Sequence, residues 1–299
     1  MTIVFSQVAV LFTFIIVGYV LGKTKRIDSK NVGLLSALEV YVFLPSSVFK
    51  TFSSNFNIAY LSEKYSYIFI SFCILAVVWL VSLAISPLLS DNNYLQNSYK
   101  YSLIAPNYGY MGYPLAEAIL GGEGSLNVMI FAIPIMLYTN IIGFSILTKR
   151  KLSMKKMLNP MVIAMIIGSI VGITNINVGG IAKTVLDKSA VCMAPVSMIL
   201  TGITISEFEI YQFFKNIKLY IVSVLRLLVF PLAIGSMLFY IFGKNVAAVA
   251  LFVYAMPCGL NTIVYPKLVG EDCSVGVGLA VVSNMLACVT IPICLGLFL

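Results

Sequence analysis

From Ser66 to Leu89 the chain carries no charged side chain. An apolar run of that length crosses the roughly 30 Å hydrocarbon core of a bilayer as a helix of about 20 residues. Similar runs recur, and they predict membrane spans over residues 3–22, 33–52, 66–89, 98–120, 126–148, 160–174, 184–206, 217–242, 246–268 and 275–298. The runs are continuous rather than alternating, which disfavours a transmembrane β-barrel. Only 10% of the 299 residues are charged and 60% are hydrophobic, whereas a soluble domain is about 25% charged. The expected fold is an all-α integral membrane protein of ten transmembrane helices.

Basic residues give the expected orientation. None precedes the first apolar run, while Lys23, Lys25 and Arg26 follow it. A cleaved signal peptide has the opposite order, so this run reads as a retained helix with its N-terminus outside. The loops then assigned inside hold Lys23, Lys25, Arg26, Lys30, Lys100, Lys149, Arg150, Lys151, Lys155, Lys156, Lys215, Lys218 and Lys267. Those outside hold Lys50, Lys64, Lys183, Lys188 and Lys244, and Arg226 falls within a span. This bias is the positive-inside pattern. It predicts a multi-pass plasma-membrane protein with both termini outside. The net charge of +8 is therefore a signal of topology, and with no soluble domain to carry a basic face, no nucleic-acid partner is expected.

The densest basic run, Lys149-Arg150-Lys151 with Lys155 and Lys156, falls at the midpoint. It divides the chain into a first five-helix repeat over 1–150, a short cytoplasmic loop over 151–159 and a second repeat over 160–299. An odd number of spans per half inverts one half relative to the other, as in many secondary transporters.

The fourth span contains Ile104-Ala-Pro-Asn-Tyr-Gly-Tyr-Met-Gly-Tyr-Pro114, which will not support an unbroken helix. Pro106 costs about 3 kcal/mol in a helix interior, and Gly109 and Gly112 about 1 kcal/mol each relative to Ala. In a bilayer such a break is tolerated only where it is buried in protein or lines a wet cavity. The fourth span of the second half carries Met256-Pro-Cys-Gly-Leu-Asn-Thr262. Each break is followed by another proline, Pro114 and Pro266, and each segment ends in a glycine–acid signal, Gly122-Glu123 and Gly270-Glu271-Asp272.

One break alone reads equally well as a packing kink. Matched breaks at the same position of two inverted halves favour a site. Crossed there, the broken helices are expected to bring unpaired amides and positive helix ends to the midplane, where anions are attracted. Pro106, Pro114, Pro257 and Pro266 then mark the crossover. Asn107 and Asn261, which donate and accept without charge, line it beside Tyr108, Gly109, Tyr110, Gly259 and Thr262. Tyr113 also surrounds the first break.

Other polar residues within spans have two readings each. Ser46 and Ser47 beside Pro45 either bond freed carbonyls or face substrate. Tyr138-Thr139-Asn140 is either a helix–helix hydrogen-bonding cluster or a set of site contacts. Glu39 and Glu117 are the candidates for ion coupling; for Glu117 the bland reading is dipole stabilisation. Asp187 reads as an interfacial partner of Lys188. Arg226 reads as a snorkelling or structural residue one or two turns from the cytoplasmic surface, with anion attraction as the alternative.

The chain has no histidine, and its six cysteines form no C-x-x-C pair, so no metal site, cofactor or catalytic residue is expected. The cysteines read as small packing residues. No Walker-type motif is present, so ATP is not the direct energy source. A membrane-embedded enzyme would lack its usual residues, and a channel or structural subunit would not need matched breaks. The leading expectation is a secondary carrier of a small organic anion.

The segments Asn107-Tyr-Gly-Tyr-Met-Gly-Tyr-Pro-Leu115, Tyr41-Val-Phe-Leu-Pro45, Arg226-Leu-Leu-Val-Phe-Pro231 and Ala255-Met-Pro-Cys-Gly-Leu-Asn261 resemble those of the auxin efflux carrier family, whose bacterial members are often described as malate or malonate permeases. The resemblance runs along essentially the whole chain. It implies two inverted five-helix repeats with helices four and nine broken and crossed, similar to bile acid sodium symporters and sodium–proton antiporters. It also implies a scaffold part and a transport part that move relative to each other. The implied substrate is an organic anion, such as a dicarboxylate or an auxin-like acid, moved by alternating access. Sodium or a proton is the candidate coupling ion and a homodimer the candidate assembly; a sodium-coupled symporter of another acid class, or a non-transport subunit or channel, is the alternative.

Overall fold

The computed structural model describes residues 2–27, 32–151, 158–267 and 269–299. Lys30, Lys155 and Lys156 of the expected inner loops lie outside the described residues. Among the described residues every regular element is helical. The main helices are α1 (Thr2–Lys23), α2 (Val32–Asn55), α3 (Ser66–Leu89), α4 (Asn93–Ile104), α5 (Tyr108–Phe131), α6 (Ile133–Thr148), α7 (Pro160–Thr174), α8 (Gly180–Ser206), α9 (Ile217–Phe242), α10 (Lys244–Tyr254), α11 (Asn261–Lys267) and α12 (Ser274–Phe298). Six of these, α1, α2, α3, α8, α9 and α12, are each long and apolar enough to cross a membrane, and the pair α5 and α6, bent by 49°, makes up to seven. The chain is thus a multi-pass, all-helical membrane protein. Within α5 the backbone at Gly121 is non-helical, with φ 72°, so the helix signal expected to end at Gly122-Glu123 is interrupted one residue earlier.

Three prolines follow a widened turn rather than a break. Leu44 N donates to Glu39 O, Tyr113 N to Tyr108 O and Phe230 N to Leu225 O. Each is an i→i−5 bond, and each donor immediately precedes a proline, Pro45, Pro114 or Pro231. A proline lacks its own donor and its ring crowds the preceding turn; an extra residue in that turn gives the ring room. Pro114 therefore follows the first break without opening the helix after it. Helix resumes earlier, at Tyr108, and Pro114 sits in the first regular turn after the widened one.

The helices pack in two groups. One contains α1, α2, α7 and α8, with α1 against α8 and α2 against both α7 and α8; the other contains α3 to α6 and α9 to α12. They meet where α1 touches α5 and α12, α2 touches α5, and α8 touches α5 and α12. Close approach in the first group depends on glycine. A Cβ at Gly18 would lie 2.1 Å from Ile199 O, and one at Gly172 would lie 2.3 Å from Phe56 O. Small residues at such contacts replace the hydrophobic drive that lipid removes.

Neighbours along these helices give their directions. Gly18 meets Ile199 and Gly22 meets Ser206, so α1 and α8 run parallel. Glu39 meets Ser197 and Lys50 meets Asp187, so α2 and α8 run antiparallel. Ion pairs gather at the two ends of α8. At its N-terminal end Lys50 lies 3.5 Å from Glu117 and 3.8 Å from Asp187. Beyond its C-terminal end Lys23 pairs with Glu209 at 3.6 Å and Lys267 with Glu207 at 2.6 Å. Twenty residues separate Asp187 from Glu207, about 30 Å of helix at 1.5 Å per residue. Asp187 is thus paired with Lys50 rather than with its sequence neighbour Lys188, and Glu117 is held at the surface by the same lysine.

Candidate functional site

The two breaks meet. Pro106 and Cys258 form an isolated antiparallel bridge, with Asn107 N donating to Pro257 O at 2.8 Å and Gly259 N donating to Ala105 O at 3.1 Å. Each break thereby satisfies the backbone groups that the other frees. This corrects the expectation of unpaired amides at the crossing: extended chain at that depth is tolerated because the two segments pair with each other. Gly259 permits the approach, since a Cβ there would lie 3.1 Å from Ala105 O. Cys258 N, behind the bridge, donates to Ser283 Oγ at 3.1 Å.

A cavity of about 510 Å³ opens beside this crossing. Both helix groups form its walls. The first contributes Gly33, Ser36, Ala37, Val40, Tyr41 and Leu44 of α2, Pro160 and Met161 of α7 with the preceding Asn159, and Leu200 of α8. The second contributes Pro106 to Tyr110, Gly259 to Asn261, Thr139, Asn140, Val264 and Tyr265. Among the described residues no acidic or basic side chain lines it; the polar lining consists of asparagine, tyrosine, serine and threonine. The cavity extends from the crossing toward the first turns of α2 and α7, at the end of the molecule where Lys23 and Lys267 lie.

Of the residues singled out in the sequence, Pro106, Asn107, Tyr108, Gly109, Tyr110, Gly259 and Asn261 line this cavity. Asn107 is 3% exposed, and its Nδ2 has no acceptor among the described residues. Asn261 Nδ2 donates to Tyr101 OH at 2.9 Å. Tyr108 OH and Thr139 Oγ1 lie 3.4 Å apart, and Tyr265 OH donates to Asn140 Oδ1 at 3.4 Å. These contacts tie α6 to both breaks, so the Thr139-Asn140 cluster serves helix contact and cavity wall together.

The other candidates stand apart from the lining. Thr262 is buried, and its Oγ1 donates to Gly259 O at 3.1 Å, which braces the second break from within. Tyr138 is buried against Tyr101 with ring centroids 6.2 Å apart. Tyr113 packs on Tyr108 at 5.7 Å. Ser47 is half-buried, and Pro114, Pro257 and Pro266 shape backbone outside the cavity surface. Glu39 is fully buried one residue before the cavity-lining Val40; Ser197 Oγ donates to its Oε1 at 2.5 Å, and its Oε2 has no partner among the described residues. Glu117 is off the cavity, beside Lys50. Arg226 is fully buried and does not snorkel.

Sequence reasoning missed Tyr265, Tyr41, Ser36 and Asn159 in the lining, and Tyr101 behind it. Asn159 alone had a readable signal: it precedes Pro160, and its Oδ1 caps α7 by accepting from Val162 N at 3.0 Å. Tyrosine in an apolar helix gives no comparable mark.

A multi-pass helical protein with an uncharged polar cavity at paired helix breaks has the build of a membrane transporter. The sequence profile of the membrane transport protein family matches residues 3–151 and 144–295, and the chain belongs to that family, the auxin efflux carrier family. No curated protein gives a significant match to the chain.

Proposed function

We propose that the protein is a secondary carrier of a small organic anion, working by alternating access, with ten spans in two inverted five-helix repeats. The observation that carries this reading is the hydrogen-bonded crossing of the two breaks at a cavity shared by both helix groups. A shared wall changes when one group moves against the other, which is what alternating access requires.

Several symmetries support the inverted repeats. Span one packs on span seven through Gly18 and Gly22, and span six packs on span two through Gly168 and Gly172. Exchanging the halves converts one contact into the other. The same exchange relates Lys50–Glu117, between spans two and four, to Glu207–Lys267, between spans seven and nine, with the charges reversed. The spacing of about 30 Å between the ion pairs at Asp187 and Glu207 suits a hydrocarbon core. The end that gathers Lys23, Lys149 and Lys267 is read as the cytoplasmic face of a plasma membrane, with both chain termini outside.

Protons are the coupling ion that the site accommodates most readily. Glu39 adjoins the cavity-lining Val40, with one oxygen unpartnered among the described residues, whereas Glu117 is engaged with Lys50 at the surface.

The test is uptake of labelled malate, malonate or indole-3-acetate into proteoliposomes. Asn107→Ala and Asn261→Ala are each expected to lower uptake by about tenfold, the size of one hydrogen bond to a charged group. Normal uptake in both variants removes the crossing from the mechanism, and no uptake of any acid under any gradient removes the carrier reading.

A further inference from the structure

The cavity lining has no charge among the described residues, yet the proposed cargo is an anion. Something outside the lining must then distinguish a carboxylate from a neutral molecule of the same shape. The fully buried charged residues among those described are Glu39 and Arg226. Glu39 lies on α2, one residue before the cavity-lining Val40 but off the lining itself, and accepts from Ser197. Arg226 belongs to the other group, on the widened turn Leu225–Val229 of α9, which packs against α4 and α12.

Arg226 has no acidic partner, and Nε, Nη1 and Nη2 have no acceptor among the described residues. Its guanidinium lies over the Tyr254 ring, 5.4 Å from the centroid, and Tyr254 is the last residue of α10, four residues before Cys258, which is bridged to Pro106. The charge therefore stands beside the helix end that leads into the crossing, while Arg226, Tyr254 and Cys258 all lie outside the cavity lining.

A purely structural arginine would have found acceptors, because an unpaired buried charge is strongly unfavourable and an apolar side chain of similar volume packs at least as well. Guanidinium does not escape the problem by losing its proton. With no counter-charge beside it among the described residues, its field reaches the cavity.

We propose that Arg226 sets the sign of the cargo: its unneutralised charge raises the affinity of an otherwise uncharged cavity for a carboxylate over the neutral isostere. The inference rests on the carrier reading above and names the residue that confers its anion selectivity. Arg226 acts through the crossing and not by contact, so it is a positioning residue for charge.

The experiment is competition binding to the purified full-length protein with two pairs of probes, malate against malamide and indole-3-acetate against indole-3-acetamide. The wild type is expected to prefer the acid of at least one pair by about tenfold or more, as for a unit charge roughly 10 Å away at an effective dielectric of about 20. Arg226→Gln is expected to abolish that preference while leaving amide affinity within about twofold, whereas Arg226→Lys retains it; a structural role would weaken acid and amide together. Tyr254→Glu gives the guanidinium an acceptor and neutralises it in place, so it should abolish the preference even if Arg226→Gln does not fold. An unchanged acid-over-amide ratio in either folded variant overturns the inference, as does a wild-type ratio near one. If the wild type binds neither member of either pair, the carrier reading itself fails.

Discussion

At the scale of single residues, the two buried charges differ in what surrounds them. Glu39 has one oxygen satisfied by Ser197 and one with no partner among the described residues. If it couples transport to protons, Glu39→Gln will flatten the pH dependence of uptake while substrate binding persists; a pH profile identical to wild type would move coupling elsewhere. Glu39 and Asn107 were both legible in the sequence, because a charge or an amide inside an apolar run is conspicuous. The depth of Arg226 was not. Its place near the start of a span suggested a side chain reaching the surface, but nine residues from Ile217 amount to about 14 Å of helix, close to half a bilayer core. Tyr101 and Tyr265 were hidden for another reason. An aromatic residue in a membrane helix fits lipid, core or cavity alike, and only the packing of α4 and α11 decides which.

At the scale of elements, proline and glycine do different work. The proline positions were plain in the sequence, but their effect was not: beyond the two breaks they yield widened turns, at Glu39–Phe43, Tyr108–Gly112 and Leu225–Val229. Two of these turns hold the two buried charges. Glycine on α1 and α7 instead lets backbones touch. Gly18→Leu would force a branched side chain into the Ile199 carbonyl, and overpacking of this kind costs about 1–3 kcal/mol or more. A lower melting temperature of the purified protein is the expected readout. An unchanged value would mean that α1 and α8 are not held at this distance. Whether a given glycine meets a neighbouring backbone depends on partners remote in sequence, such as Gly18 with Ile199, so periodicity alone could not rank these sites.

At the scale of the whole molecule, the two helix groups are linked by an ion pair at each end, Lys50–Glu117 and Lys267–Glu207. The cavity leads toward the end held by Lys267, so in the proposed alternating access Lys50–Glu117 is the pair that holds the opposite end shut. Glu117→Gln removes only the contact between groups. It should lower the labelling of Ser36→Cys by an impermeant maleimide from the Lys267 side by about twofold, in keeping with the modest strength of exposed pairs. Unaltered labelling would deny the pair any part in access. The crossing itself has a further consequence for motion. Two backbone bonds, Asn107 to Pro257 and Gly259 to Ala105, rivet the broken helices together, and neither can slide without tearing both. In the proposed transport cycle the rivet travels as one piece, carrying whatever is held beside it, while the surrounding contacts are exchanged. Hydrogen exchange at the amides of Asn107 and Gly259 should accordingly stay slow with or without substrate, even while the mouths of the cavity open and close.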